Sequence, residues 1–280
     1  MTRVLLIGGS GQLGTAIAQN WSHCEILAPA RDSLDLENES ALREHVERVR
    51  PDVLVNAAAF HDVDRCEDEP ERAFAVNALA VARAARVARE RDIVFVTFST
   101  DYVFDGRAAA PYAEEDAPHP LSVYGTSKLA GEYLVESLRG RTFVVRTCGL
   151  YGKSSSRRSS FLERVLTHRP GDAPLRVVAD VVASPTFAGH LAAAVWRLIA
   201  SGAYGLYHAV NAGAVSWYEF ACEAAAQAGV DAVIEPIPAS QWKRGARRPR
   251  FSALENRKLA RLGIAMPGWR DGIAAYVQVR

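Results

Sequence analysis

The 280-residue chain has almost no charge of one sign in excess, since 33 Lys and Arg stand against 32 Asp and Glu, a formal net charge of +1. That balance argues against a broad basic face holding nucleic acid by its phosphates. No run of 18 apolar residues occurs, so no membrane-spanning helix is expected. The opening MTRVLLIGGSGQLG turns glycine-rich after four apolar residues. It lacks the apolar stretch and cleavage site of a secretory signal and reads as a first β-strand. Cysteine is scarce. Cys24, Cys66, Cys148 and Cys222 lie far apart without a CxxC pair, which gives neither a zinc pattern nor a disulfide framework and fits a reducing cytoplasm. Internal repeats and low-complexity tails are missing as well. What remains is an ordinary globular composition, 49% hydrophobic and 23% charged, long enough to bury one large core or two unequal ones.

In the first half, short β-type runs alternate with helical ones. Val4–Ile7, Glu25–Ala28, Val53–Asn56, Ile93–Phe98 and Phe143–Arg146 read as strands, and Gln12–Trp21, Ser40–Val49, Glu71–Arg91 and Val123–Leu138 as helices. Strict alternation predicts an α/β fold with a doubly wound parallel sheet, covered on both faces and joined by right-handed crossovers. Past Tyr151 the pattern loosens. Residues 1–150 are expected to form the sheet domain, and 151–280 mostly a smaller C-terminal subdomain. A stretch at about 176–210 should return to the sheet, with Leu206–Val210 as a late strand and Ala188–Ala200 as a helix. Trp217–Ala228 reads as a further helix. Lys153–Ser160, polar and basic without periodicity, is either a surface loop or a lid over an anionic ligand.

The first strand runs into Gly8-Gly9-Ser10-Gly11-Gln12-Leu13-Gly14, with Gly8, Gly11 and Gly14 at GxxGxxG spacing. Glycine suits a tight turn whose backbone must approach a pyrophosphate, and the following helix offers free N–H groups and a positive dipole end. With a strand before and a helix after, this reads as a dinucleotide site. An acidic residue at the tip of the second strand would bind the ribose hydroxyls of NAD. Here the strand ends Leu27-Ala28-Pro29-Ala30-Arg31-Asp32. The Arg31 guanidinium suits a 2′-phosphate, which favours NADPH, with NADH as the alternative that the adjacent Asp32 keeps open.

Farther on, Tyr124-Gly-Thr-Ser-Lys128 places a phenol and an amine four residues apart on one helical face. With nine tyrosines and only four lysines in the chain, a chance pair is uncommon. An ammonium beside a phenol favours the phenolate, so the Tyr124 pKa is expected to fall toward working pH and make it a general acid. The pair follows a strand that ends in hydroxyls, Phe98-Ser99-Thr100-Asp101, and strand carboxyl ends are where ligands bind in open parallel sheets.

Taken together, GxxGxxG, Asn56-Ala57-Ala58-Ala59, Ser99-Thr100-Asp101-Tyr102-Val103-Phe104-Asp105-Gly106 and the YGTSK run resemble the extended short-chain dehydrogenase/reductases, and more narrowly the dTDP-4-dehydrorhamnose reductase family. Val145-Arg146-Thr147, Asp180 to Thr186, Tyr207-His208 and Arg247-Arg248-Pro249 with Ser252 carry the resemblance over nearly the whole chain. It implies a Rossmann domain with a substrate-binding subdomain, and NADPH-dependent reduction of the 4-keto group of a nucleotide-linked 6-deoxyhexose. Gly11, Gln12 and Leu13 would wrap the pyrophosphate. Asp35 and Leu36 would lie near the adenine, and Ala58, Ala59, Phe60 and His61 would line the cofactor. Thr100 would hydrogen-bond the reacting carbonyl, Tyr124 would deliver the proton, and Lys128 would hold the nicotinamide ribose. Asp101 and Tyr102 would touch the sugar. Arg247, Arg248 and the pair Arg157-Arg158 are candidate cations for the diphosphate. Asn77, polar within an apolar helix, either bonds backbone near the site or caps a kink.

Two departures qualify the match. The family often packs a tryptophan on the sugar two residues after the threonine of its Arg-Thr motif, and here that position is Gly149. An aromatic wall is then absent or supplied from elsewhere. Part of the family forms a magnesium-bridged dimer. A homodimer stays open here, but no acidic cluster can be assigned to such a metal and none is expected. Two rival readings stand beside the reductase. A nucleotide-sugar dehydratase or epimerase is one, although dehydratases usually carry Asp-Glu where this chain has Asp101-Tyr102. A non-catalytic regulatory subunit, like the beta subunit of methionine adenosyltransferase, is the other, against which Thr100, Tyr124 and Lys128 are all retained.

Overall fold

The structure, a computed structural model, describes residues 1–154, 160–242 and 245–280. Six apolar segments form one parallel sheet: β1 (Arg3–Ile7), β2 (Glu25–Leu27), β3 (Val53–Asn56), β4 (Val94–Thr100), β5 (Thr142–Thr147) and β6 (Gly205–His208). They lie in the order β6-β5-β4-β3-β1-β2, every neighbouring pair parallel. Alternate residues face opposite ways along a strand, so each strand feeds two cores. Val4, Leu6, Val96 and Val145 meet α1 (Gln12–Asn20) and α5 (Ala188–Ser201) through Ile17, Leu191 and Val195. Leu5, Leu54, Phe95 and Val144 meet α2 (Glu39–Val49) and α3 (Val81–Glu90) through Leu42, Val46, Ala84 and Ala88. Both faces are thereby covered, which is why the strands are continuously apolar. Strand order reverses at β1, with β2 on one side and β3 on the other, and this opens a crevice at the carboxyl ends.

The expected helix over 71–91 is not one regular element. It runs as Pro70–Phe74, a π-helical turn Ala75–Ala80, and then α3. Helical periodicity does not reveal such a turn, and π turns gather at functional sites. The late strand closes at His208 rather than Val210, because the Val210 N–H leaves the sheet to donate to Asn256 Oδ1 (2.9 Å).

A second core holds Tyr151, Leu162, Val165, Phe220, Trp269 and Ile273. It is built on α6 (Trp217–Ala228), α7 (Trp269–Val279) and the parallel pair Leu175–Val178 with Ile234–Ile237. Of the stretch 176–210, only α5 and β6 lie on the main sheet. A small cluster of Val103, Phe104, Leu129, Cys148, Ala183 and Leu254 joins the two parts. Among the described residues no helix is long and apolar enough to cross a membrane, and no group of His, Cys, Asp or Glu is placed to hold a metal ion.

Candidate active site

The glycine turn after β1 sits at the switch point. Gly8 has φ +83°, and a Cβ there would come within 2.7 Å of Ala58 N, in the loop after β3. Gly14 packs on the Gly8 carbonyl with no room for a side chain. Gly11 starts α1 in extended conformation without a side-chain cap. The first-turn N–H groups of Gln12 and Leu13 therefore have no intrahelical acceptor and face the turn as anion donors. The Leu13 side chain is core, and Gln12 Nε2 donates to Gly152 O (3.3 Å).

Beyond β2, the Arg31 Nε donates to Asp35 Oδ2 (3.1 Å) while its side chain stays 71% exposed. Asp35 also accepts from Glu37 N–H, and these bonds hold its pKa below the usual carboxylate value. The two predicted residues are thus brought together. Leu36 is turned into the core beside Leu34 and Leu42, so only its backbone is available to a cofactor.

Asn77 answers the question left by the sequence. Its Oδ1 accepts from Phe60 N–H (2.9 Å), and its Nδ2 donates to Phe60 O (2.9 Å) and Ser127 Oγ (3.0 Å). Ser127 Oγ in turn donates to Tyr124 O (2.8 Å). One amide from the π turn thus ties the loop of Ala58, Ala59, Phe60 and His61 to the helix that carries the tyrosine.

That helix, α4 (Val123–Ser137), starts on Ser122, whose Oγ accepts from Gly125 N–H (3.2 Å), and Glu67 accepts from Val123 N–H (2.8 Å). A buried bidentate pair between Arg146 on β5 and Glu132 (2.7 Å) anchors its middle. Lys128 is buried, and its Nζ donates to Phe98 O at 2.6 Å. Thr100, at the end of β4, lies within hydrogen-bond reach of the Tyr124 phenol. It also donates to Asp101 Oδ1 (3.1 Å) and accepts from Tyr102 N–H (3.2 Å). Tyr102 meets Tyr124 edge-on, with ring centroids 6.0 Å apart. Thr100, Asp101, Tyr102 and Tyr124 converge, with Lys128 one turn along.

The expected lowering of the Tyr124 pKa is not found. Burial pushes it above the ordinary phenol value, the Asp101 carboxylate adds to the rise, and Thr100 only partly opposes it. Lys128 is bound to a carbonyl rather than to the phenol, so the attraction assumed from the YxxxK spacing is outweighed by desolvation. Burial also brings Lys128 down to about 8, against the pull of Glu132. The site therefore holds a neutral phenol, the form a proton donor requires.

The RmlD substrate-binding-domain model matches residues 1–280. The dTDP-4-dehydrorhamnose reductase of Burkholderia thailandensis is 36% identical over 296 residues, 99% of this chain and 98% of that protein. The spore coat polysaccharide biosynthesis protein SpsK of Bacillus subtilis is 33% identical over 282 residues, 100% and 98% of the two chains. The crystal structure of a dTDP-4-dehydrorhamnose reductase from Bacillus anthracis in complex with NADP superposes with a TM-score of 0.95 at 31% identity, covering 100% of both chains. This chain belongs to the dTDP-4-dehydrorhamnose reductase family.

Set against that family's pattern, the Gly149 departure has a local cause. Gly149 has φ +51°, and a Cβ there would stand 2.8 Å from the Trp217 indole. The ring of Trp217 on α6, backed edge-on by Phe161 at 5.4 Å, already fills the space beside residue 149. Asp101 is buried beside Ser252 and Cys148 and accepts from Thr100 Oγ1, and burial raises its pKa. Arg248 is not a free cation. Its Nη1 and Nη2 donate to the two carboxylate oxygens of Asp64 at 3.0 and 2.9 Å. Arg247 is exposed, and Arg157 and Arg158 lie outside the described residues. The reading from sequence missed Asp64, Glu67, Cys148 and Trp217. None sits in a local motif, and only the fold brings them to the site.

The residues present fit a reductase's dinucleotide. The glycine cradle leaves room that a Cβ would fill at Gly8. The buried Lys128 ammonium has one hydrogen-bond partner among the described residues, the Phe98 carbonyl, so two of its N–H groups remain for ribose hydroxyls.

Proposed function

We propose that this chain is an NADPH-dependent reductase of the 4-keto group of a nucleotide-linked 6-deoxyhexose, converting dTDP-4-dehydro-L-rhamnose to dTDP-L-rhamnose. The observation that carries the reading is the convergence of Thr100, a neutral Tyr124 phenol and a buried Lys128 at the carboxyl ends of the sheet. Full-length similarity to the reductases supports it. Gly8, Gly11, Gln12, Leu13 and Gly14 hold the pyrophosphate. Arg31 and Asp35 take the adenosine end, and Lys128 takes the nicotinamide ribose. Bound there, the reduced nicotinamide supplies the hydride. Thr100 and Tyr124 donate hydrogen bonds to the ketone oxygen and stabilise the charge that grows on it. Tyr124 then gives up its proton, which a phenol raised above its ordinary pKa retains until that charge develops. Asp101 and Tyr102 orient the sugar. Four free cysteines, three of them buried, suit a reducing cytoplasm.

The test is direct. Incubated with NADPH and the keto-sugar made from dTDP-glucose by a 4,6-dehydratase and the matching epimerase, the protein should consume NADPH and yield dTDP-L-rhamnose. Tyr124→Phe should lower turnover by about 100-fold or more with NADPH affinity kept. A wild-type protein that binds NADPH and reduces no 4-keto-sugar nucleotide overturns the reading.

A further inference from the structure

Asp64 and Arg248 stand 184 residues apart and meet in a two-pronged ion pair, with side chains 28% and 19% exposed. Asp64 lies in the first turn of the short helix Val63–Asp68, which follows the cofactor-lining loop. Its Oδ1 also accepts the Ala246 N–H (3.1 Å), and Arg248 Nη1 donates back to Ala246 O (3.1 Å). The same guanidinium lies close enough to Tyr102 to act electrostatically on its hydroxyl, and it stands 5.8 Å from the Trp242 ring centre. Tyr102 in turn packs edge-on against Tyr124.

We propose that Asp64 is a positioning residue: its carboxylate latches the segment 245–252 across the mouth of the cleft and, through Arg248, sets Tyr102 against Tyr124. A bidentate carboxylate–guanidinium pair is strong and directional, and it occupies both terminal nitrogens of Arg248 in one plane. The substrate diphosphate therefore meets an Arg248 already neutralised, and the pair serves to hold the wall rather than to attract the anion. The latch runs from the cofactor side of the crevice to the C-terminal subdomain, so it closes the sugar site onto the half that holds the dinucleotide. Ser252, on the same segment, lies beside the Asp101 carboxyl and acts on it, so loosening the latch also disturbs a second group of the sugar site.

The kinetic arm of the test rests on the reductase reading, while the exchange arm does not. In the ligand-free protein, Asp64→Ala should speed amide hydrogen exchange across 245–252 by about tenfold or more, leaving exchange in β1, β3 and β4 as in wild type. With NADPH and the 4-keto-sugar nucleotide, the variant should raise KM for the sugar and lower kcat, together costing about 30-fold in kcat/KM, while its NADPH Kd stays within about twofold. The double variant Asp64→Ala/Arg248→Met should be no worse than the poorer single one, as expected for two residues of one unit. Unchanged exchange in 245–252 overturns the proposal whether or not the protein is a reductase. A lower KM for the sugar in Asp64→Ala also overturns it, because Asp64 would then be a competitor for Arg248. If wild type turns over no keto-sugar, the reductase reading fails and the exchange result still decides the latch.

Discussion

The two halves of the cleft are made in different ways. The cofactor half is mostly backbone and mostly local: Gly8 to Gly14 form the turn within one βα connection, and Arg31 and Asp35 sit four residues apart. The sugar half is side chains gathered from afar, with Asp64, Asp101, Cys148, Trp217, Arg248 and Ser252 coming from five separate segments. A phosphate-binding turn has to meet a fixed chemical group with few residues, so its spacing is written in the sequence. A sugar wall needs only that some side chain fill each place, and the fold decides which one does. Lys128 and Asn77 sit on the border between the halves, and substitutions there should break the distinction most severely.

Lys128 carries the largest expected effect. Lys128→Met should cut turnover by about 100-fold or more and weaken NADPH, yet the ligand-free protein should melt no lower than wild type, because a buried ammonium with one carbonyl partner among the described residues costs stability. The sign with pH follows. The folded-state pKa is about 8, below the ordinary 10.5, so between those values the unfolded chain binds more protons. This group therefore makes wild-type stability rise with pH across that window, and the rise should be absent from Lys128→Met. Conversely, NADPH affinity of the free wild-type protein should fall as pH passes about 8 and the ammonium is lost. A Kd flat from neutral to alkaline pH would remove Lys128 from cofactor binding.

Asn77→Ala comes next. The Phe60 N–H would lose its partner, at about 1–3 kcal/mol when left unsatisfied, while the Phe60 carbonyl would keep only the Cys66 thiol as a donor. The expected result is a lower Tm and NADPH binding weakened by about tenfold, measured by thermal unfolding with and without NADPH. A lower Tm with unchanged affinity would make Asn77 structural only.

How much was legible follows the same divide. Continuous apolar runs announced a sheet covered on both faces, and glycine spacing announced the turn. The π turn at Ala75–Ala80 was not legible, because its extra residue leaves the apolar periodicity almost intact. The Asp64–Arg248 pair was hidden by separation. The state of Tyr124 was misjudged for a different reason: spacing shows that Lys128 is near, but not that its ammonium turns to Phe98 O or that burial outweighs charge. Residue 149 shows the limit most plainly, because the sequence reveals a missing side chain there but not that Trp217 occupies the space.

Arg31 gives the mildest prediction and the finest test of the local half. Its pair with Asp35 is exposed, and surface pairs of this kind contribute little to stability, so Arg31→Ala should leave the Tm where it is. Toward a 2′-phosphate the same guanidinium makes charge-assisted bonds, and only NADPH carries that group. NADPH binding should weaken by about five- to tenfold and NADH by less than about twofold, read as the ratio of the two dissociation constants. Equal losses would mean that Arg31 acts by holding Asp35 in place near the adenine, and that preference between the two cofactors is set elsewhere in the turn. A changed ratio with an unchanged melting point would assign the choice of dinucleotide to one exposed side chain, readable in the sequence because it closely follows a strand whose tip carries no acid.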